Sequence, residues 1–466
     1  MDTIIQHFYE KITSELEKKV KNIFLEGKGD ISQVINTVED NLDKLGCEII
    51  KDFIEKCDYE IKHSKERKKH WVVQQKEMKK TLITTFGEVK YFRVYYKSKS
   101  NKGFTYLVDD ILSIDRYQRI DNGLASKMVE FASEYSYQKS ANLAVKSVPL
   151  SRQTVKNKIR ELGEIDNREL EEIPDKKRKV KRLYVEADED HISLQNNGKK
   201  TISRLIYVHE GLEKVNKTRN KLKNVKYFSG LYKNSFEDLW LEVIDYIDDH
   251  YDVDAIETTY LAGDGAGWIK EGLHWLPRPK YVLDRYHLNK YVLKATGHLP
   301  KMKFYLWEGL NECNLEKVDL VFKDIIEKTE KKTKLKAVKD SRGYILSNWS
   351  GIVRYNEDPY ALGCSAEGHI SHILAHRLSS RPLGWSNIGA DQMSRLRAFK
   401  FNGGKAADIY NLIKENKKEK RIEIKTEKIF KRSKTKNLYP EAREVMPALK
   451  SGKVNGTYMA VKAYAF

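Results

Sequence analysis

Cysteine is scarce in this 466-residue chain: there are four, Cys47, Cys57, Cys313 and Cys364, and no two form a Cys-x-x-Cys pair. That excludes a disulfide framework and argues against a cysteine-built zinc site. Long apolar runs are missing too. Nothing approaches the roughly 18 to 20 apolar residues that cross a bilayer, and the opening MDTIIQHFYEKITSELEKK lacks a basic-then-apolar signal pattern. A cytoplasmic protein without a membrane partner is therefore expected. Negative charge is in deficit, with 67 acidic residues against 86 lysines and arginines, for a net +19. Such a balance attracts polyanions, chiefly nucleic acid. The hydrophobic share of 40% and aromatic share of 11% are those of a globular protein.

What is present reads as a multidomain α/β chain. Residues 1–115 combine helices, with Ile4, Ile5, Phe8 and Ile12 at three-to-four spacing, and a β-hairpin, TLITTFGEVKYFRVYY, turning at Gly87. Residues 116–173 contain YQKSANLAVKSVPLSRQTVKNKIREL, which has the form of a helix-turn-helix. Pro149 breaks its first helix, Ser151 caps the second, and Leu150 and Val155 occupy the staple positions. With Val155, Ile159 and Leu162 facing inward, Arg152, Gln153, Lys156 and Lys158 are left to meet DNA; a plain pair of packed helices is the alternative. Residues 174–182 carry KKRKVKR, a basic linker whose Lys176, Lys177, Arg178 and Lys179 are candidate phosphate contacts.

Residues 183–300 follow the order β-β-β-α-β-α-β-α: LYVEADEDHISLQ, TISRLIYVHEG and VKYFSGLY as strands, a helix opened by Ser235, then TTYLAGD, GAGWIKEGLHWL, KYVLDRY and HLNKYVLKAT. An antiparallel meander leading into βαβ units predicts a ribonuclease-H-like mixed sheet. Residues 301–362 read as an all-helical insertion, 363–410 as the remainder of the core, and 411–466 as a basic tail suited to the DNA backbone. Between 414 and 436 that tail has eleven lysines and arginines against four acidic residues.

Phosphoryl transfer on DNA needs an activated nucleophile, a stabilised leaving oxygen and relief of phosphate charge. Two divalent metals roughly 4 Å apart supply these, and Mg²⁺ or Mn²⁺ prefers carboxylate oxygen. Converging carboxylates at strand ends are thus the feature to find. Glu186, Asp188 and Asp190 alternate with Leu183, Val185 and Ala187, so they share the face opposite an apolar one. Asp190 rivals Asp188 there. Asp264 ends a strand before glycines, in GDGAGW, with a plain turn as the alternative reading. Asp284 and His287, in LDRYH, end the next strand and open a helix; His287 is a candidate contact to phosphate or to a metal-site residue, and Arg285 a candidate DNA contact. Glu367 opens SAEGHISHILAHRLSS, where His369, His372 and His376 fall on one helical face and Glu367 on the other. Trp268, Trp275 and Trp385 are candidates to stack on unpaired bases, although most such aromatics are core.

The blocks YVEADEDHISLQ, YLAGDGAGWIK, YVLDRYHLNKYV and CSAEGHISHILAHRLSSRPLGWS, in that order, resemble the ISLre-two group of bacterial insertion-sequence transposases, an uncharacterised protein family, and more distantly the Mutator-like transposases. The resemblance spans nearly the whole chain. It implies a ribonuclease-H-like core with a helical insertion before the glutamate, a triad of Asp188, Asp264 and Glu367 holding two Mg²⁺ or Mn²⁺ ions, and an Asp-x-x-His element in Asp284 and His287. The cysteine-rich finger of some eukaryotic relatives is missing, which leaves end recognition to the amino-terminal regions. The expected function is a DDE-type transposase that binds terminal inverted repeats and target double-stranded DNA as a dimer or higher oligomer at the nucleoid. A ribonuclease-H-fold nuclease or Holliday-junction resolvase without strand transfer is the alternative.

Overall fold

The computed structural model describes residues 2–418 apart from 27–29, 101–102, 169, 196–198, 218, 234 and 382. From 419 onward the expected basic tail lies outside the described residues. Two compact units divide the chain, one within 1–121 and one of 122–415.

In the first unit the helix Ile31–His63 begins at Asp30, whose carboxylate accepts the amides of Ser32 at 2.8 Å and Gln33 at 3.3 Å. The expected hairpin forms from β1 (Trp71–Ile83) and β2 (Glu88–Ser98), antiparallel, with the short β3 (Phe104–Thr105) beside β2. Gly87, at φ 141, closes the turn with Thr84, a backbone conformation open to glycine. Leu82, Val89, Tyr91, Val94 and Tyr96 bury against Ile54 and Ile61 of the long helix. Beneath them Asp109 is paired with Lys80 and Arg93, and burial together with the Arg93 charge brings the Lys80 amine down to about 7.

The second unit is built on a five-stranded sheet of β4 (Arg182–Ser193), β5 (Lys200–His209), β8 (Lys226–Gly230), β9 (Thr258–Gly263) and β10 (Pro279–Leu283), with β6 (Leu212–Lys214) and β7 (Asn220–Leu222) forming a separate small hairpin. Its order is β10-β9-β4-β5-β8; β5 pairs antiparallel with both β4 and β8, while β4, β9 and β10 are mutually parallel. Alternation along β4 divides the two faces. Leu183, Val185 and Ala187 join a core with Trp240, Val243 and Ile247 of the helix Glu237–His250, and with Trp268 and Ile269 of Gly267–Trp275. The opposite face carries Tyr184 together with Glu186, Asp188 and Asp190, and the stretch 366–378 and the helix Asn387–Phe401 pack on it.

The insertion forms four helices, Pro300–Asn311, Leu315–Glu327, Lys332–Ser347 and Trp349–Glu357. They share one apolar cluster with Tyr281 and Leu283 of β10 and Leu288 and Val292 of the helix Arg285–Thr296. The insertion therefore buttresses the sheet edge that carries Asp284.

Three helices, Asn122–Ala132, Tyr137–Ala144 and Arg152–Glu161, precede the sheet in the same unit. Ser151 caps the third as expected, accepting the Thr154 amide at 3.2 Å, and Val155 and Ile159 are buried. Ser151→Ala should lower stability by about 1 kcal/mol, read from a denaturant midpoint. Among the described residues no helix is long and apolar enough to cross a membrane.

Candidate active site

Parallel registration brings the acidic residues into a row. The β4–β9 ladder runs from Arg182 opposite Thr258 to Glu186 opposite Ala262, and two residues beyond its end come Asp188 and Asp264. The β9–β10 ladder closes with Gly263 opposite Leu283, so Asp264 and Asp284 follow together. Asp264 and Asp284 thus follow the carboxyl ends of β9 and β10. Asp188 lies beside them in mid-β4, just past the point where its parallel pairing with β9 ends and only the pairing with β5 continues. The ends of parallel strands are where α/β folds place their ligand sites. Gly263 permits the close approach: a Cβ there would lie 2.9 Å from the Ala187 carbonyl oxygen.

Each carboxylate is held differently. Asp188 is buried, and its Oδ1 accepts the Glu189 amide at 2.8 Å. Burial, with the nearby negative charges of Asp264 and Glu367 adding to it, pushes its carboxyl up to about 7, against the Glu189 amide and the His287 imidazole. Asp264 Oδ1 accepts the Ala266 amide at 2.8 Å and so closes the turn that precedes the helix Gly267–Trp275. The loop behind it is tight: Gly265 has φ +90, and a Cβ there would meet Asn348 of the insertion at 2.4 Å. Asp284 is buried and caps the helix Arg285–Thr296 through the Tyr286 amide at 3.0 Å, while its Oδ2 lies 2.7 Å from His287 Nδ1. That hydrogen bond raises the His287 pKa against the effect of burial, and the charges of Asp284, Asp188 and Asp264 raise it further. With Nδ1 engaged, Nε2 is the ring atom left to meet a ligand. Glu367 is exposed on the first turn of the helix Ala366–His369.

The three acidic residues of β4 thus have separate surroundings. Asp190 Oδ1 accepts the Ser379 hydroxyl at 2.8 Å, at the far end of the glutamate stretch. Glu186 is enclosed by donors: Tyr207 Oη at 2.5 Å, the Ser365 amide at 2.5 Å, Ser365 Oγ at 3.1 Å and His209 Nε2 at 3.1 Å. Burial opposes its charge, but His209, Tyr207 and the Ser365 amide together hold it below the usual carboxylate range. Among the described residues, no three His, Cys, Asp or Glu side chains are gathered closely enough to hold a metal ion.

A family model described as an uncharacterised protein family, UPF0236, matches residues 26–416. The chain belongs to that family. A UPF0236 protein of Caldanaerobacter subterraneus subsp. tengcongensis is 43% identical over 475 residues, 99% of each chain. A second from the same organism, whose name joins eleven locus designations, is 42% identical over 471 residues, again 99% of each. A UPF0236 protein of Streptococcus gallolyticus, named for its place in the vanSb 3′ region, is 28% identical over 335 residues, 68% of this chain and 72% of its own.

Several sequence expectations look different in this UPF0236 chain. KKRKVKR is not a free linker. Arg178 is half-buried, paired with Glu210 at 3.0 Å and stacked on Tyr251, and its backbone bonds to His250 and Asp252. Lys179 reaches Asp252 at 3.6 Å, whereas Lys176 and Lys177 are exposed. Arg285 lies over the rings of Trp307 and Tyr355 and so joins the site helix to the insertion. Of the candidate recognition residues, Arg152 and Gln153 are exposed, Lys156 is half-buried, and Lys158 is paired with Glu161 at 2.7 Å. The three histidines do not share one face. A π-helical segment, Ile370–Ala375, breaks the 3.6-residue period; His369 packs on Tyr207 and Tyr227, while His372 and His376 are exposed. Trp268 and Trp385 are buried with their ring N–H groups bonded to Glu189 and Leu378, and Trp275 is partly exposed. Sequence reasoning missed the partners of Glu186. Its place in the period-two acidic run was the only signal, and nothing in the sequence joins it to Ser365.

Proposed function

We propose that this UPF0236 protein is a DDE-type transposase with a ribonuclease-H-like core, acting on the double-stranded ends of its own element. One observation carries the reading: Asp188 lies within electrostatic reach of both Asp264 and Glu367, beside the point where the parallel pairing of β4 with β9 ends, and His287 interacts with Asp188 and Asp264 from the next strand end. Strand order adds support, since an antiparallel meander followed by two parallel strands on the other side of its first member is the ribonuclease-H-like layout. A relative named for eleven loci of one genome suits a gene carried by an element that multiplies. The three helices over 122–161, with exposed Arg152 and Gln153, suit DNA-end recognition as a helix-turn-helix.

The donor set suits Mg²⁺ or Mn²⁺ in kind: hard carboxylate oxygens, and one buried carboxyl forced up to about 7 by burial and neighbouring negative charge. Asp188, Asp264 and Glu367 would hold the ions by drawing closer together than they stand here, where they form no metal-binding cluster. Two such ions supply charge relief to the phosphate and activation of the attacking oxygen. The chain's own groups do the rest. Asp284 fixes the ring of His287 through Nδ1, so that a charged imidazole can donate from Nε2 to a phosphate oxygen. The Asp264 loop, braced by Asn348 and by Tyr344, whose hydroxyl donates to the Asp264 carbonyl at 2.5 Å, keeps its carboxylate at the strand end. Synapsis of two element ends calls for a dimer or larger assembly on DNA.

The test uses purified full-length protein, Mg²⁺ or Mn²⁺, and a duplex carrying a pre-cleaved element end with a free 3′ hydroxyl. Joined products are expected with a target plasmid, and chelation of the metal should remove them. Cleavage without any joining would replace the transposase by a nuclease or resolvase of the same fold.

A further inference from the structure

Glu186 is a buried carboxylate whose four donors leave it little capacity for anything else. It sits two residues before Asp188 on the same strand face. Its partners are equally specific. The Ser365 amide and hydroxyl both reach Oε2, and Ser365 is the residue that opens the helix bearing Glu367. A serine in that position ordinarily turns its hydroxyl onto its own helix, a cap worth about 1 kcal/mol. Here no side-chain cap forms; Oγ donates to Glu186 Oε2 at 3.1 Å and lies 2.9 Å from the Tyr207 hydroxyl instead. The helix start is thus tied to the sheet rather than closed on itself.

The other side of the carboxylate is as firmly held. His209 is fully buried; its Nδ1 lies 3.1 Å from the Gly211 amide and 3.3 Å from the Gly211 carbonyl oxygen, and its Nε2 lies 3.1 Å from Glu186 Oε1. Beyond the first turn, His369 Nδ1 lies 3.1 Å from the Ser365 carbonyl, and its ring packs on Tyr207, itself a donor to Glu186. One ionised group on β4 therefore gathers β5, through Tyr207 and His209, and the turn that carries Glu367.

We infer that Glu186 is a positioning residue: it sets the distance between Asp188 and Glu367, and hence the affinity of the site for divalent cation, without touching the ion. This rests on the function proposed above. Removing such an outer partner typically weakens metal binding 10- to 100-fold. Glu186→Gln keeps the volume but leaves a single, uncharged acceptor oxygen where four donors converge, so the tie to Ser365 is weakened.

Full-length wild type, Glu186→Gln and Ser365→Ala are compared by Mn²⁺ binding (free-ion EPR), by the Mn²⁺ concentration for half-maximal end cleavage, and by melting temperature without metal. Both variants should bind Mn²⁺ more weakly and need more of it for cleavage, with about a tenfold or larger shift for Glu186→Gln and a smaller one for Ser365→Ala, which keeps its amide. Cleavage at saturating Mn²⁺ should largely recover, and end binding should be unchanged. A wild-type Mn²⁺ midpoint in both variants overturns the inference, as does a melting-temperature loss without any change in Mn²⁺ affinity. If Glu186→Gln does not fold, Ser365→Ala decides alone. Failure of the wild type to cleave with any metal would instead count against the proposed function.

Discussion

Asp188→Asn is expected to abolish strand cleavage, by about a thousandfold or more, while leaving binding to element ends unchanged in a gel-shift assay. The size follows from what the carboxylate would do. Charge relief by divalent ions is worth several kcal/mol at a transferring phosphate, and each 1.4 kcal/mol or so is a factor of ten in rate. Asparagine keeps the volume and can still accept the Glu189 amide, so the strand should be undisturbed. Asp264→Asn and Glu367→Gln belong to the same test and should fall as far. Asp190→Asn is the internal control. Its Oδ1 accepts the Ser379 hydroxyl, and although Glu367 adds to the upward shift of its carboxyl as it does for Asp188, Asp264 does not, so its loss should cost less than that of Asp188. If Asp190→Asn is dead and Asp188→Asn cleaves, the first aspartate has been assigned to the wrong neighbour. If all four cleave, the triad is not the active site.

How much of this was legible beforehand depended on the range of the interactions. Period-two alternation over Leu183 to Asp190 fixes which side chains share a face, because a strand allows nothing else. The hairpin through Gly87 and the cap at Ser151 are equally local and appear as read. A helical wheel misplaces the histidines of the glutamate stretch because it assumes an unbroken period, and the π-helical turn after His369 shifts every residue beyond it. Burial of Ile370, Ile373 and Leu374 on that turn is a tertiary matter, invisible in a short histidine-rich segment. The basic run at 176–182 shows the same limit. Its composition suggested a solvated linker, but Glu210, 32 residues on, and Tyr251, 73 residues on, determine where Arg178 sits. Glu186 is the sharpest case: as a sequence feature it could not be told from Asp188, and only partners 21 to 179 residues away separate a satisfied carboxylate from one under repulsion.

That repulsion has a thermodynamic consequence opposite in sign to the catalytic one. Burial and the neighbouring charges hold the Asp188 carboxyl at about 7 in the folded protein, against an ordinary value of 3.8. The folded state therefore keeps a proton that the unfolded chain has lost. Its contribution to stability is complete below about pH 4, declines as pH rises from about 4 to 7, and is level above that. A shift of about three units corresponds to at most about 4 kcal/mol. In the absence of metal, Asp188→Asn should match wild type near pH 4 and be more stable by about 2 to 4 kcal/mol at pH 8, read from urea midpoints in the presence of EDTA. Mn²⁺ should then raise the stability of wild type at pH 8 and leave the variant nearly unmoved, because ligand that binds only the folded state adds to its stability by mass action. A variant less stable than wild type at pH 8 would show that Asp188 is not held against its charge. Equal stabilisation of both proteins by Mn²⁺ would separate the carboxylate from the ion. The residue whose removal most strengthens the empty fold should be the one whose removal ends the chemistry.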